Sequence, residues 1–192
     1  MSLNQLRDRD SIEQKAILPN QTLLLTRSKR SILQVLPNDA TPLLKSCLRM
    51  LNPLLSFEQM CAQDTLTFEE VVKVVKHFVF WGFGRVIYPI KTTSVFRITK
   101  NAANIDQPIV EKFAAKFGGQ SLTKTISYLF SNGPTSLAEV SLTAKRPMQE
   151  LYRKVIFFLK FDLLADMKTH LCLRLQSAAE DIDALQRSIL SK

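Results

Sequence analysis

At Ser56–Gln59, Thr67–Glu70 and Ser136–Glu139, a serine or threonine is followed three residues later by glutamate or glutamine, just ahead of apolar residues at helical spacing. At such a box the hydroxyl satisfies a backbone amide that the first helical turn leaves unbonded, and the longer side chain reaches back to do the same. Three helix starts are therefore fixed before any fold is chosen. The second opens the longest apolar face, Phe68, Val71, Val72, Val75, Phe78 and Val79, which runs into Trp81 and stops near Gly82 and Gly84. Before it, Thr41 and Pro42 open a helix with Leu43, Leu44, Cys47, Leu48 and Leu51 on one side, ended by Asn52 and Pro53. After it come two extended runs, Arg85 to Ile90 and Ser94 to Ile98, joined by Lys91, Thr92 and Thr93, a spacing that predicts a β-hairpin.

Helices closed by a hairpin are the order of a winged helix, and the order recurs. Ile109, Val110, Phe113, Ala114 and Phe117 give one face, and Leu122, Ile126, Leu129 and Phe130 a second. The Ser136 box gives a third helix, and Pro147 opens a fourth with Met148, Leu151, Tyr152, Val155, Phe158 and Leu159. Alternation from Met167 to Leu175 then predicts a strand. The fold expected is α+β and mostly α, with two tandem winged-helix-like modules, each of helices followed by a short β-hairpin or strand. The expected divisions are an arm over 1–35, modules over 36–100 and 101–176, and an amphipathic helix over 177–192 using Ile182, Leu185 and Ile189. Leu23 to Leu25 have strand character but no evident partner nearby.

Composition narrows function. With 192 residues, 46% of them hydrophobic, one moderate core or two small ones can form, too little for a large enzyme scaffold. No apolar run approaches a membrane span, and the charged start, Met1 to Asp10, lacks a signal core, so the chain reads as soluble and intracellular. Cys47, Cys61 and Cys172 make no CxxC pair and read as small hydrophobes. His77 and His170 have no second ligand or acid at metal or triad spacing. Gly82-Phe83-Gly84 is a helix stop and not a phosphate loop. No catalytic, metal or cofactor residue is expected.

A net charge of +9 raises nucleic acid as a partner, since winged helices often lay their third helix in the major groove. The candidate helices, however, open with Glu69 and Glu70, and with Glu150 beside Arg153 and Lys154, and carboxylates there would repel phosphates. Winged-helix nucleic-acid binding is thus the alternative, and protein interaction the main reading. The aromatics Phe78, Phe80, Trp81, Phe83, Tyr88 and Phe96 carry the local question. Trp81, at the helix-to-strand corner, is expected to be buried as a core plug. The competing reading makes Phe80, Trp81, Phe83 and Tyr88 a partner-facing patch.

The stretches LPNDATPLLKSCLRMLNP (36–53), HFVFWGFGRVIYPIKTTSVFRIT (77–99) and RKVIFFLKFDLLADMKTHLCLRL (153–175) together resemble the nitrogen permease regulator 3-like family. The marks are Leu36-Pro37 with Asp39, the turn at Phe80, Trp81 and Gly82, and Ile87-Tyr88-Pro89. The resemblance implies a non-catalytic subunit of the first GATOR complex, called SEACIT in fungi. Such a subunit pairs with a 2-like paralogue and a DEPDC-type third subunit. The complex acts as a GTPase-activating assembly on Rag-type GTPases at the vacuole or lysosome, and so inhibits TOR complex 1 when amino acids or nitrogen are scarce. The resemblance also implies that the catalytic arginine sits on the paralogue, that membrane contact comes only through the complex, and that this chain holds the middle of a longer family architecture. Leu23 to Leu25 would then end an absent longin-like sheet.

Overall fold

The structure is a computed structural model and describes residues 16–37, 41–63, 65–130 and 133–167. Its order is β1 (Thr22–Leu25), α1 (Lys29–Val35), α2 (Pro42–Met50), α3 (Phe57–Gln63), α4 (Phe68–Phe80) and β2 (Gly84–Ile87). It continues with β3 (Val95–Ile98), a 3-10 turn (Lys100–Ala103), α5 (Gln107–Lys116), α6 (Leu122–Phe130), β4 (Thr135–Ser136), α7 (Leu137–Ala144), α8 (Met148–Lys160) and β5 (Leu164–Met167). The fold is α+β and mostly helical, as expected. All three boxes form: Ser56 and Gln59 bond each other's backbone amides, as do Thr67 with Glu70 and Ser136 with Glu139.

The expected hairpin does not form. β2 pairs antiparallel with β1, Leu23 opposite Val86, while β3 pairs with β5, Val95 opposite Met167, and with β4. The reason is burial: Leu23 and Leu25 join Val86 over the first core, whereas Phe96 enters the second core. Pairing β2 with β3 would cost both sheets these contacts. Leu23 to Leu25, expected to end an absent sheet, thus find their partner in this chain. Of the strand expected from Met167 to Leu175, Met167 closes β5, and the rest lies outside the described residues, as do Asp39, His170, Cys172 and the helix expected over 177–192. Helix α1, which the sequence reading placed in a polar arm, is capped by Ser28, whose hydroxyl accepts from the Ser31 amide.

The two sheets organise two sets of elements with one plan. Phe57 and Leu137, Phe68 and Met148, and Gly84 and Leu164 open corresponding elements, 80 positions apart. The correspondence extends to single bonds. Phe57 and Glu58 donate to the carbonyls of Gln21 and Pro19, at 2.8 and 3.0 Å, and Leu137 and Ala138 donate to those of Ser94 and Thr92, at 3.1 and 2.9 Å. α4 buries Val71, Val74, Val75, Phe78 and Val79, and α8 buries Leu151, Lys154, Val155, Phe158 and Leu159 at the same positions. Each then turns through one residue of positive φ, Gly82 at +70° and Asp162 at +54°. The next amide returns to the helix, Phe83 to the Phe78 carbonyl at 2.8 Å and Leu163 to the Phe158 carbonyl at 2.9 Å.

The sets pack against each other through β1 and β2. Leu23 and Leu25 point into the first core, whereas Leu24 between them, with Ile87, joins the second, as the alternation of a strand requires. Arg85 completes the tie, bonding the Asp162 carboxylate and the Leu159 carbonyl at the C-terminal end of α8.

Candidate interaction surface

The surface begins with the periodicity of α4. Its apolar positions turn inward, which leaves Glu69, Lys73, Lys76, His77 and Phe80 along the outer stripe, all exposed. The Thr67 box orders the first turn: its backbone amide and then its hydroxyl bond Glu70, holding that carboxyl below its ordinary value. At the other end Trp81 is the cap residue and projects outward.

Trp81 is 57% exposed and Phe80 52% exposed, so the expectation that Trp81 plugs the core is overturned. The turn at Gly82 brings Phe83, not Trp81, under the helix. Phe83 is half-buried, with its ring 6.4 Å from Phe78, and the Arg27 guanidinium lies over its outer face. Trp81 instead packs edge-on against Phe80 at 5.7 Å and lies 6.0 Å from His77. Phe78 and Phe96 are fully buried, in separate cores.

The four residues of the expected patch therefore separate. Phe80 and Trp81 stand together, Phe83 packs on Phe78, and Tyr88 follows the far end of β2, about 13 Å along the strand from Gly84 at ~3.3 Å per residue. There Tyr88 edges a shallow concavity with Asn20, Pro89, Lys91, Asp166 and Met167.

The equivalent corner of the second set is built differently. Phe157, Lys160 and Phe161 occupy the positions of His77, Phe80 and Trp81. Phe157 is buried among Phe113, Phe117 and Phe161, with ring separations of 5.2, 5.9 and 4.7 Å. Phe117, the cap residue of α5, supplies the cover. Lys116 lies over Phe117 and Phe157, and burial together with the charge of Lys116 pushes the Lys160 ammonium below its ordinary value. A concavity of about 580 Å³ beside them is lined by Lys116, Phe117, Pro147, Gln149, Glu150 and Arg153. α1 and α5 correspond through their ends. Each buries one residue, Ile32 or Phe113, and each cap amide four residues later donates back to it, from Leu36 or Phe117. Val35 thus corresponds to Lys116 and Leu36 to Phe117. Val35 is 57% exposed, and sequence reading missed it, although Ser28 ahead of Ile32, Leu33, Val35 and Leu36 was a usable helix-start signal.

Among the described residues, no cluster of histidine, cysteine or acidic side chains could hold a metal, and no helix is long and apolar enough to cross a membrane.

Compared with known proteins, residues 1–180 match the family described as nitrogen permease regulator of amino acid transport activity 3. The chain is 30% identical over 159 residues to a Drosophila melanogaster protein named GATOR complex protein NPRL3, an alignment covering 81% of this chain and 26% of that relative. The chain thus spans about a quarter of the length of this relative. The match over nearly the whole chain agrees with the motifs at 36–53, 77–99 and 153–175, and the chain belongs to the nitrogen permease regulator 3 family.

Proposed function

We propose that this chain is a non-catalytic adaptor of a GATOR-type, GTPase-activating complex that restrains TOR complex 1 when amino acids or nitrogen are scarce. Its partners on this reading are a nitrogen permease regulator 2-like paralogue and a DEPDC-type third subunit. Rag-type GTPases are engaged indirectly, and the assembly works at the vacuolar or lysosomal surface. Family membership supports the reading, and the observation that carries it is the exposed Phe80–Trp81 pair on an otherwise well-packed helical scaffold. Aromatics more than half exposed at the end of a helix are the residue type that dominates interface energies. The two sets serve here as winged-helix-like interaction modules. Use of the same scaffold on nucleic acid is disfavoured further by Lys154, which is buried and held by Glu150 at 2.6 Å, and so cannot reach a phosphate.

The test is co-expression with the paralogue and the third subunit, each separately and together, followed by purification through a tag on this chain. Stoichiometric recovery of at least one subunit is expected. Recovery of neither, together with salt-sensitive binding to random duplex DNA, would replace this reading with the nucleic-acid one. In single-turnover assays the chain is expected neither to hydrolyse GTP nor to accelerate hydrolysis by a Rag GTPase. Acceleration that disappears on changing one of its arginines would contradict the adaptor role.

A further inference from the structure

The concavity of about 580 Å³ between the C-terminal end of α5 and the first turns of α8 carries two cations that no carboxylate meets. Lys116 and Phe117 line it from α5, and Pro147, Gln149, Glu150 and Arg153 from the start of α8. Glu150 is the single carboxylate of that lining, and it is already committed: Lys154 holds it at 2.6 Å, with Arg146 at 3.9 Å. Lys116 and Arg153 are both exposed, and among the described residues neither forms an ion pair.

Lys116 is nonetheless held in place. Its ammonium lies over the Phe117 and Phe157 rings, 5.6 and 5.8 Å from their centroids, a contact that orders a long side chain without neutralising it. Burial, and then the charge of Lys116, push the nearby Lys160 ammonium below its ordinary value. Like charges are thus gathered beside the concavity, and an anion would relieve their repulsion.

The first repeat lacks this arrangement. In it, 80 positions earlier, Pro147, Gln149, Glu150 and Arg153 have Thr67, Glu69, Glu70 and Lys73 as counterparts. There Glu70 closes onto Thr67, while Glu69 stays exposed. The start of α4 therefore carries a free negative charge where α8 has the neutral Gln149.

Size and chemistry select the ligand. The volume falls within the roughly 300–1,000 Å³ of small-molecule sites. Pro147 and Phe117 supply apolar walls, and an arginine fork beside a lysine point charge suits phosphate oxygens. We propose that the concavity between α5 and α8 binds a small phosphate monoester, of the size of a phosphorylated sugar alcohol, with Arg153 bonding its oxygens and Lys116 balancing its charge. Such a group arrives either free or as the head of a membrane lipid. The site uses residues of the second repeat alone, so it goes beyond the adaptor reading and does not depend on it.

The test titrates the full 192-residue chain with inositol trisphosphate by calorimetry, and separately captures it on phosphatidylcholine vesicles with and without a phosphoinositide. Saturable binding to at least one probe is expected. Arg153→Gln and Lys116→Gln should each weaken it about tenfold, the effect of losing one charge-assisted hydrogen bond. Lys73→Gln, the equivalent change on α4, should shift it by less than about twofold, as a distant screened charge does. A loss from Lys73→Gln equal to that from Arg153→Gln would reveal diffuse attraction to a chain of net charge +9 and overturn the proposal, as would the absence of saturable binding to either probe. Because Arg153 is exposed, Arg153→Gln should melt like the parent, and it decides the matter even if Lys116→Gln, which loses its ring contacts, fails to fold. Binding in solution without vesicle capture supports a free ligand; phosphoinositide-dependent capture that fails in Arg153→Gln supports a lipid head group. Tighter binding of a phosphoserine peptide or of random duplex DNA, lost in the same variants, would overturn the assignment to a small ligand.

Discussion

Corresponding residues of the two repeats solve the same packing problem with different chemistry, and Lys154 shows it most sharply. Its counterpart is Val74, an ordinary core valine. Lys154 is buried to the same degree, and its ammonium is neutralised by Glu150 at 2.6 Å, with Arg146 farther off at 3.9 Å. Glu150 is available because Pro147 stands where Thr67 begins the first repeat's box, so no hydroxyl caps this helix. The hydrogen bond from Lys154, with the charges of Lys154 and Arg146 behind it, holds the Glu150 carboxyl below its ordinary value. Because a valine already fills the equivalent space, Lys154→Met should be neutral or stabilising by about 1 kcal/mol in urea unfolding, whereas Glu150→Ala should cost roughly 1–3 kcal/mol by stranding the ammonium. Equal losses from both would show the pair to be a net stabiliser. Acid should expose the boxes in the same experiment. Glu70 and Glu139 are held below the ordinary value of 4.5 by the Thr67 and Ser136 backbone amides and then their hydroxyls. A carboxyl depressed in the folded state contributes stability above its unfolded value that is lost as pH falls through the folded one. Unfolding midpoints should therefore drop below about pH 4.5, and Glu70→Gln with Glu139→Gln should flatten that slope; an unchanged slope would exclude the boxes as its source.

At the scale of elements, the turn after α4 separates conformational from packing effects. A Cβ at Gly82 would meet nothing within 4 Å, but φ is +70°, so Gly82→Ala should cost about 1 kcal/mol from backbone strain alone. At Gly84 φ is ordinary, yet a Cβ would come 3.0 Å from Leu23 Cγ and 3.1 Å from the Leu24 carbonyl. Gly84→Ala should therefore loosen the β1–β2 pairing, read as faster amide exchange in Thr22–Leu25, while Gly82→Ala leaves that exchange rank unchanged. The same elements mark what the sequence disclosed. Helices α2 to α8 were legible because caps and a 3.6-residue period are local signals. Strand pairing was not. Leu23 to Leu25 find Gly84 to Val86 some sixty residues away, and nothing within either run distinguishes that partner from the nearer Val95–Ile98. The corner misled for a related reason: Trp81 and Phe83 flank the same glycine, and only the bond from the Phe83 amide to the Phe78 carbonyl decides which aromatic turns inward. The exposure of Phe80 and Trp81 was available only as the competing reading, while Val35, on a helix read as an arm, and the cover of Phe157 by Phe117 needed the repeat in three dimensions.

For the whole molecule, the position of Leu24 argues that the two repeats unfold together. It belongs to a strand of the first sheet but is buried in the second core, 1% exposed, and Arg85 ties the next strand to Asp162. Leu24→Ala should cost about 2–5 kcal/mol and lower a single shared transition, whereas two separated transitions in calorimetry would show the repeats to be independent. On the adaptor reading, two repeats packed together in this way present the Phe80–Trp81 corner in a defined setting. The adaptor reading is tested most directly by Phe80→Ala with Trp81→Ala in the full chain, measured for thermal stability and for recovery of the other subunits. Because both side chains are more than half exposed, the melting temperature should fall by no more than about 2 °C, while recovery of partner subunits is lost. A variant that melts like the parent and still recovers its partners in full would contradict the account.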